Sequence, residues 1–183
     1  MYFNEEQLAK IAAWQVADDR FSSIDPMTTY IRPAVATLAK SGLWQCHIVD
    51  DGGLSNYCSI VVHPSIHKND LSSLRHHKPY RGAGIFVYLS LAMPVGVLGR
   101  TSFTIAWETF CADPLEMASI IQPDRGTEEI VNAILDAFDK SIYRFLELDD
   151  VSQPLPPHIK PAEYCFCAEP WDRAFHALFA NTD

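Results

Sequence analysis

The chain has 183 residues, a formal net charge of −9 and a hydrophobic share of 48%. This length and composition predict a single globular domain over residues 1–183, with about 70% of the unfolded surface buried. No uninterrupted apolar run reaches the roughly 20 residues that a membrane helix needs, so we expect no membrane association. The N-terminus lacks the pattern of a secretory signal, and five scattered cysteines favour free thiols in a reducing cytoplasm.

Charge is unevenly distributed along the sequence. Residues 64–108 carry two acids and five bases, whereas residues 109–183 carry fourteen acids and five bases. The acidic excess argues against general nucleic-acid binding, which needs clustered lysines and arginines. It favours docking on a basic protein partner, because complementary charge accelerates association.

Two helical stretches are predicted before residue 43. The pair Asn4 and Gln7 forms a capping box for the first helix, which we expect to end near residue 18. Asp25 starts the second, and Gly42 provides a C-terminal stop. Pro33 lies inside this second stretch and predicts a kink or a restart, because its ring clashes with the preceding turn.

A β-hairpin should follow the helices. Residues 43–50 alternate between apolar and polar side chains, which indicates a half-buried strand. The glycines of the turn at residues 50–53 accept positive φ, and residues 55–63 return as the partner strand.

The most apolar stretch of the sequence, Gly84–Glu108, predicts two adjacent strands at the centre of the sheet. We expect them to be joined through Pro94, Gly96 and Gly99. In the second half, residues 113–116 indicate a short helix and residues 128–148 the longest one. A proline-rich segment at 149–162, a final strand at 163–168 and a short helix from Trp171 complete the chain.

Because strands and helices come in runs, the pattern favours an α+β fold. We expect a mainly antiparallel sheet of about five strands, with the helices packed mostly on one face.

No cofactor is predicted, because no nucleotide-binding or nucleophile motif is present. No metal site is predicted either. Cys165 and Cys167 lack the second ligand pair of a structural zinc site, so they are interpreted as core thiols, and a Cys–His pair assembled by folding is left open.

The connection between residues 64 and 83 is long for a compact domain, and such segments often carry function. Its basic and histidine side chains could converge on a phosphate or carboxylate group, which makes an enzyme or an anion-binding protein the alternative hypothesis. The candidate residues are Lys68, Arg75, His76, His77, Lys78 and Arg81.

The run Arg81–Gly84 resembles the phosphate-binding loop of acyl-CoA-dependent acetyltransferases, but it opens a strand where that loop opens a helix. We therefore interpret this run as the glycine-containing start of a central strand.

The leading hypothesis is a non-enzymatic protein-binding module. In size and acidity the chain resembles the immunity proteins that neutralise bacterial toxins, although no motif is shared. That resemblance implies steric occlusion of a basic toxin active site by an acidic surface. The candidate surface residues are Asp124, Glu128, Glu129, Asp136, Glu147, Asp149 and Asp150.

Overall fold

The computed structural model describes residues 2–50, 52–53, 55–66, 79–106, 109–139, 141–161 and 170–180. Six strands form one sheet in which β1 to β5 are neighbours in chain order and every neighbouring pair is antiparallel. The short β6 runs parallel to the first part of β4. The strands are β1 (Trp44–Asp50), β2 (Tyr57–Pro64), β3 (Tyr80–Ser90), β4 (Val95–Ala106), β5 (Thr109–Ala112) and β6 (Arg144–Phe145). The predicted α+β class and the antiparallel sheet are confirmed.

The described residues also contain five α-helices. Single turns of 3₁₀-helix occur at Asp19–Phe21 and Met117–Ser119, and a π-helical turn occurs at Met27–Ile31. No helix in this part of the chain is long and apolar enough to cross a membrane. The helices are α1 (Glu5–Ala12), α2 (Arg32–Lys40), α3 (Glu128–Phe138), α4 (Leu148–Val151) and α5 (Ala174–Leu178).

The sheet separates two apolar cores, because successive side chains of a strand point to opposite faces. Along β3, Val87 and Leu89 enter one core together with α2 and α3, which we call the α2–α3 core. Phe86 and Tyr88 enter the other together with α1 and α5, the α1–α5 core. The prediction that the helices pack on one face of the sheet therefore holds for the two longest helices, α2 and α3. Helices α1 and α5 cover the opposite face.

The N-terminal helices begin as their start signals predict, but the first one ends early. Asn4 and Gln7 form the expected capping box on α1. This helix ends at Ala12, earlier than predicted, because Trp14 adopts a left-handed φ of 56°. Pro33 lies in the first turn of α2, directly after the π-helical turn, so the predicted restart is confirmed.

The hairpin and the two central strands are confirmed, but two of their glycines were misassigned. The turn between β3 and β4 covers residues 91–94, whereas Gly96 and Gly99 lie inside β4. A Cβ at Gly96 would meet the carbonyl oxygen of Tyr88 at 2.7 Å, and one at Gly99 would meet the side chain of Leu115. These glycines permit close packing across the sheet and play no part in the turn.

The second half of the chain differs more from the prediction. No helix begins at residues 113–116, because Leu115 is fixed to the sheet: its backbone N–H donates to the Tyr88 hydroxyl at 3.2 Å. The helix predicted over 128–148 ends at Phe138, and Arg144–Phe145 pair with β4 as β6. The Arg144 N–H donates to the Pro94 carbonyl at 3.0 Å, which a continued helix would have prevented. The strand predicted at 163–168 lies outside the described residues, and the final helix is confirmed as α5.

The sheet is strongly curled, so its two outer strands approach each other. Strands β1 and β5 are not hydrogen-bonded, yet the rings of His47 and Phe110 stack with centroids 4.0 Å apart. This curl gathers side chains from β1, β2, β4 and β5 on the concave face of the sheet, where the candidate site described below lies.

Candidate functional site

The predicted acidic surface is divided between the two faces of the sheet. Helix α3 belongs to the α2–α3 core through four buried residues, whereas Val151 of α4 belongs to the α1–α5 core. Asp124, Glu128, Glu129 and Asp136 therefore lie on one side of the molecule. Glu147, Asp149 and Asp150 lie on the other.

On α3 the acidic residues share one exposed face. Glu128, Glu129 and Asp136 are exposed, and Asp139 continues the same face at the end of the helix. Leu135, with 36% of its surface exposed, lies among them. Within the described part of the chain none of these four carboxylates forms an ion pair. This face, defined by Glu128, Glu129, Leu135, Asp136 and Asp139, is called the α3 face below.

Asp124 has a local structural role in front of α3. One carboxylate oxygen accepts from the N–H groups of Gly126 and Thr127, both at 3.0 Å, and from the Thr127 hydroxyl at 2.9 Å. The other oxygen is paired with Arg100. The Thr127 hydroxyl is the main reason why the pKa of Asp124 lies below its usual value. This carboxylate thus fixes the loop that precedes the α3 face.

On α4 two of the three acids cap the helix. Glu147 and Asp150 form a reciprocal capping box, in which the Glu147 N–H donates to the Asp150 carboxylate at 3.3 Å. Asp149 is exposed in the first turn. These acids are explained by stabilisation of a short helix, because negative charge is favourable at a helix N-terminus.

Most of the basic candidate site lies outside the described residues. Lys68, Arg75, His76, His77 and Lys78 belong to the segment 67–78, so their predicted convergence stays a prediction. Arg81 is described and is exposed on β3. The run Arg81–Gly84 lies at the start of β3, as predicted, and Gly82 makes room for the ring of Phe103. The connection predicted over residues 64–83 is shorter than expected, because Pro64 belongs to β2 and β3 begins at Tyr80.

The structure adds a polar feature that was not predicted, a hydrogen-bonded histidine pair. His47 of β1 and His63 of β2 bring their Nε2 atoms to 3.1 Å. The strand register places His47 opposite Val61 and His63 opposite Gln45, so the two histidines are diagonal neighbours on one face. At this spacing, wider than that of directly opposed residues, the rings can meet tip to tip.

The pair is enclosed by two phenylalanine rings. Phe110 stacks on His47 at 4.0 Å between centroids, and Phe103 stacks on His63 at 4.3 Å. His63 is almost completely buried, with 1% of its surface exposed, whereas His47 is half-buried. This set of four rings is called the histidine–phenylalanine cluster below.

Burial determines the protonation of the cluster. Desolvation lowers the pKa of both His47 and His63, and for His47 the neighbouring imidazole lowers it further. His63 Nδ1 lies 2.7 Å from the Pro64 carbonyl oxygen, so it must carry a proton and donate it. In the neutral pair, His63 Nε2 is therefore the acceptor and His47 Nε2 the donor.

The described cysteines stand apart from this cluster. Cys46 and Cys58 lie in the α2–α3 core, on the face opposite to the histidines. Burial raises the pKa of the Cys46 thiol to about 11, which leaves it protonated and unreactive. Among the described residues no group of three or more His, Cys, Asp or Glu side chains could hold a metal ion. Cys165 and Cys167 lie outside this part of the chain.

Comparison with known proteins identifies no relative of the chain: no family model, curated protein or solved structure matches it.

Proposed function

We propose that the chain is a protein-binding module of the immunity type, which neutralises a bacterial toxin by covering its basic active site with the α3 face. The observation that carries this proposal is the exposure of four carboxylates on one side of a helix whose other side is fixed in the core. None of the four is neutralised by a described basic side chain.

The α3 face suits such a role because it is rigid. Ile130, Val131, Ile134 and Phe138 anchor the helix to the sheet, and Ile134 is fully buried. Its carboxylates are thus held in place before a partner arrives, which lowers the entropic cost of binding. Leu135 adds an exposed apolar side chain beside the carboxylates, and protein interfaces combine apolar contacts with polar ones in this way.

In the proposed interface, charge complementarity raises the rate of association and the specificity for the partner. Toxins that cleave nucleic acids need a basic active site, and an acidic face attracts such a site over a distance of about 10 Å at moderate salt. The acids of α4 point to the other side of the molecule. A partner domain that covers the α3 face would therefore not contact the acids of α4.

The test compares two double variants with the same net charge. Glu129→Lys with Asp136→Lys alters the α3 face, whereas Glu6→Lys with Asp149→Lys alters exposed acids on the opposite side of the sheet. Affinity for the purified product of the neighbouring gene is measured by titration calorimetry at two salt concentrations. We expect the α3 variant to bind at least about tenfold more weakly and the other variant to bind like the wild type.

Equal weakening by both variants would show that overall charge, and not the α3 face, governs binding. Absence of any binding by the wild-type protein would contradict the immunity-type function itself. Circular dichroism of each variant ensures that a loss of affinity is not a loss of fold.

An anion-binding protein or an enzyme that uses residues 64–83 is the second candidate. One observation favours it: the histidine pair lies at the end of β2, where the chain enters this basic segment. In this case neutral His47, whose Nδ1 carries no proton in the pair, would be available as a proton acceptor next to bound substrate.

A further inference from the structure

The distance between the two histidines matches the spacing of two ligands on one metal ion. Zinc–nitrogen bonds of 2.0–2.1 Å separate two ligand nitrogens by about 2.9 Å at a right angle and about 3.3 Å at the tetrahedral angle. The Nε2 atoms of His47 and His63 are 3.1 Å apart, between these two values.

The surroundings of His63 are those of a metal ligand. Histidines that bind metals usually donate their second ring N–H to a carbonyl or a carboxylate, which fixes the tautomer and the ring orientation. The 2.7 Å contact between His63 Nδ1 and the Pro64 carbonyl does this. It leaves the lone pair of His63 Nε2 directed at His47.

Both ligands are also held in place by backbone and ring contacts. The histidines lie on adjacent paired strands, and each ring is stacked on a phenylalanine of the cluster. The half-buried position of His47 provides the path by which an ion enters. Burial keeps both imidazoles neutral near pH 7, the form that a metal requires.

From this geometry we propose that His47 and His63 form a binding site for one divalent metal ion of the zinc and nickel class, held by the two Nε2 atoms. Imidazole is a preferred ligand of these metals. Water completes the coordination, since the cluster contributes no carboxylate and no thiol. When the ion binds, the proton on His47 Nε2 moves through solvent to Nδ1, so the neutral pair releases no net proton. The site is independent of the α3 face.

The first test is zinc titration of the full chain by calorimetry. We expect the wild-type protein to bind one zinc ion more than His47→Gln or His63→Gln. The matched control is His158→Gln, because the His158 side chain is 67% exposed and lies far along the chain from the pair. It should retain the wild-type stoichiometry. Wild-type binding that is unchanged in His47→Gln would overturn the proposal.

The second test needs no variant and therefore does not depend on the fold of a mutant. In the ¹⁵N-labelled wild-type protein, zinc should shift the Nε2 resonances of His47 and His63 while His63 Nδ1 stays protonated. If neither Nε2 resonance moves at a zinc concentration that saturates the protein, the pair is only a hydrogen bond and the proposal is wrong.

Discussion

At the scale of single residues, Gly84 shows how closely β2 and β3 approach beside the histidine–phenylalanine cluster. A Cβ at this position would meet the Val62 carbonyl oxygen at 2.8 Å and the Cβ of His63 at 3.3 Å. Neither atom lies at the flexible end of a side chain, so an added methyl group must push the two strands apart.

We therefore expect Gly84→Ala to lower the free energy of unfolding by about 1–3 kcal/mol, the usual cost of overpacking. Gly126→Ala is the matched control, because its Cβ would find its nearest neighbour at an ordinary 3.5 Å. Urea unfolding of both variants measures the difference. A Gly84→Ala protein as stable as the wild type would mean that the strands are less tightly packed than described.

At the scale of elements, β3 is the strand on which both cores depend. Leu89 has no exposed surface and lies in the α2–α3 core. Leu89→Asp should prevent soluble expression, because an unpaired carboxylate would be buried among apolar side chains. Leu135→Asp is the control, since this side chain of α3 is 36% exposed, and it should fold normally. Soluble, folded Leu89→Asp protein would show that the core has been misplaced.

The elements that could be predicted from sequence are those with local signals. The capping box at Asn4, the restart at Pro33 and the hairpin turn each depend on residues close together in the chain. The end of α3 depends on residues that are distant in the chain. The N–H of residue 144 donates to the turn before β4, and the N–H of residue 146 donates to β4 itself. The same holds for Leu115, whose partners Tyr88 and Gly99 come from the central strands.

The histidine pair was not accessible to sequence reasoning. The predicted turn at residues 50–53 would place His47 opposite residue 56, whereas in the structure His47 lies opposite Val61 and therefore diagonal to His63. The contribution of Phe110 could not be seen in this way, because it requires the curl of the whole sheet. The acidic residues were found by counting charges, which could not show that α3 and α4 lie on opposite sides of the sheet.

At the scale of the whole molecule, titration of buried histidines couples stability to pH. His176 in α5 is buried, and its Nδ1 accepts the backbone N–H of Arg173 at 3.2 Å. Desolvation is the main cause that lowers the pKa of folded His176 below 6.5. Between that pKa and about 6.5 the unfolded chain therefore binds more protons than the folded one. Stability must fall as the pH falls through this window.

The carboxylates whose pKa is lowered in the folded protein act at lower pH than this window. Hydrogen bonds lower the pKa of Asp18 and Asp25 in the folded protein, so their contribution is lost only as the pH falls below about 4. A decline in stability between pH 7 and 5 thus reports on histidines.

We expect His176→Gln to flatten this decline, because glutamine at the third position of a helix keeps the capping hydrogen bond but does not titrate. The difference in slope from the wild type should be below about 1.4 kcal/mol per pH unit, the limit for one proton. Urea unfolding at pH 7, 6 and 5 measures it, with His158→Gln as the control for an exposed histidine. A slope in His176→Gln equal to that of the wild type would show that His176 binds its proton equally well in the folded and unfolded chains. Its burial in α5 would then have no energetic consequence in this pH range.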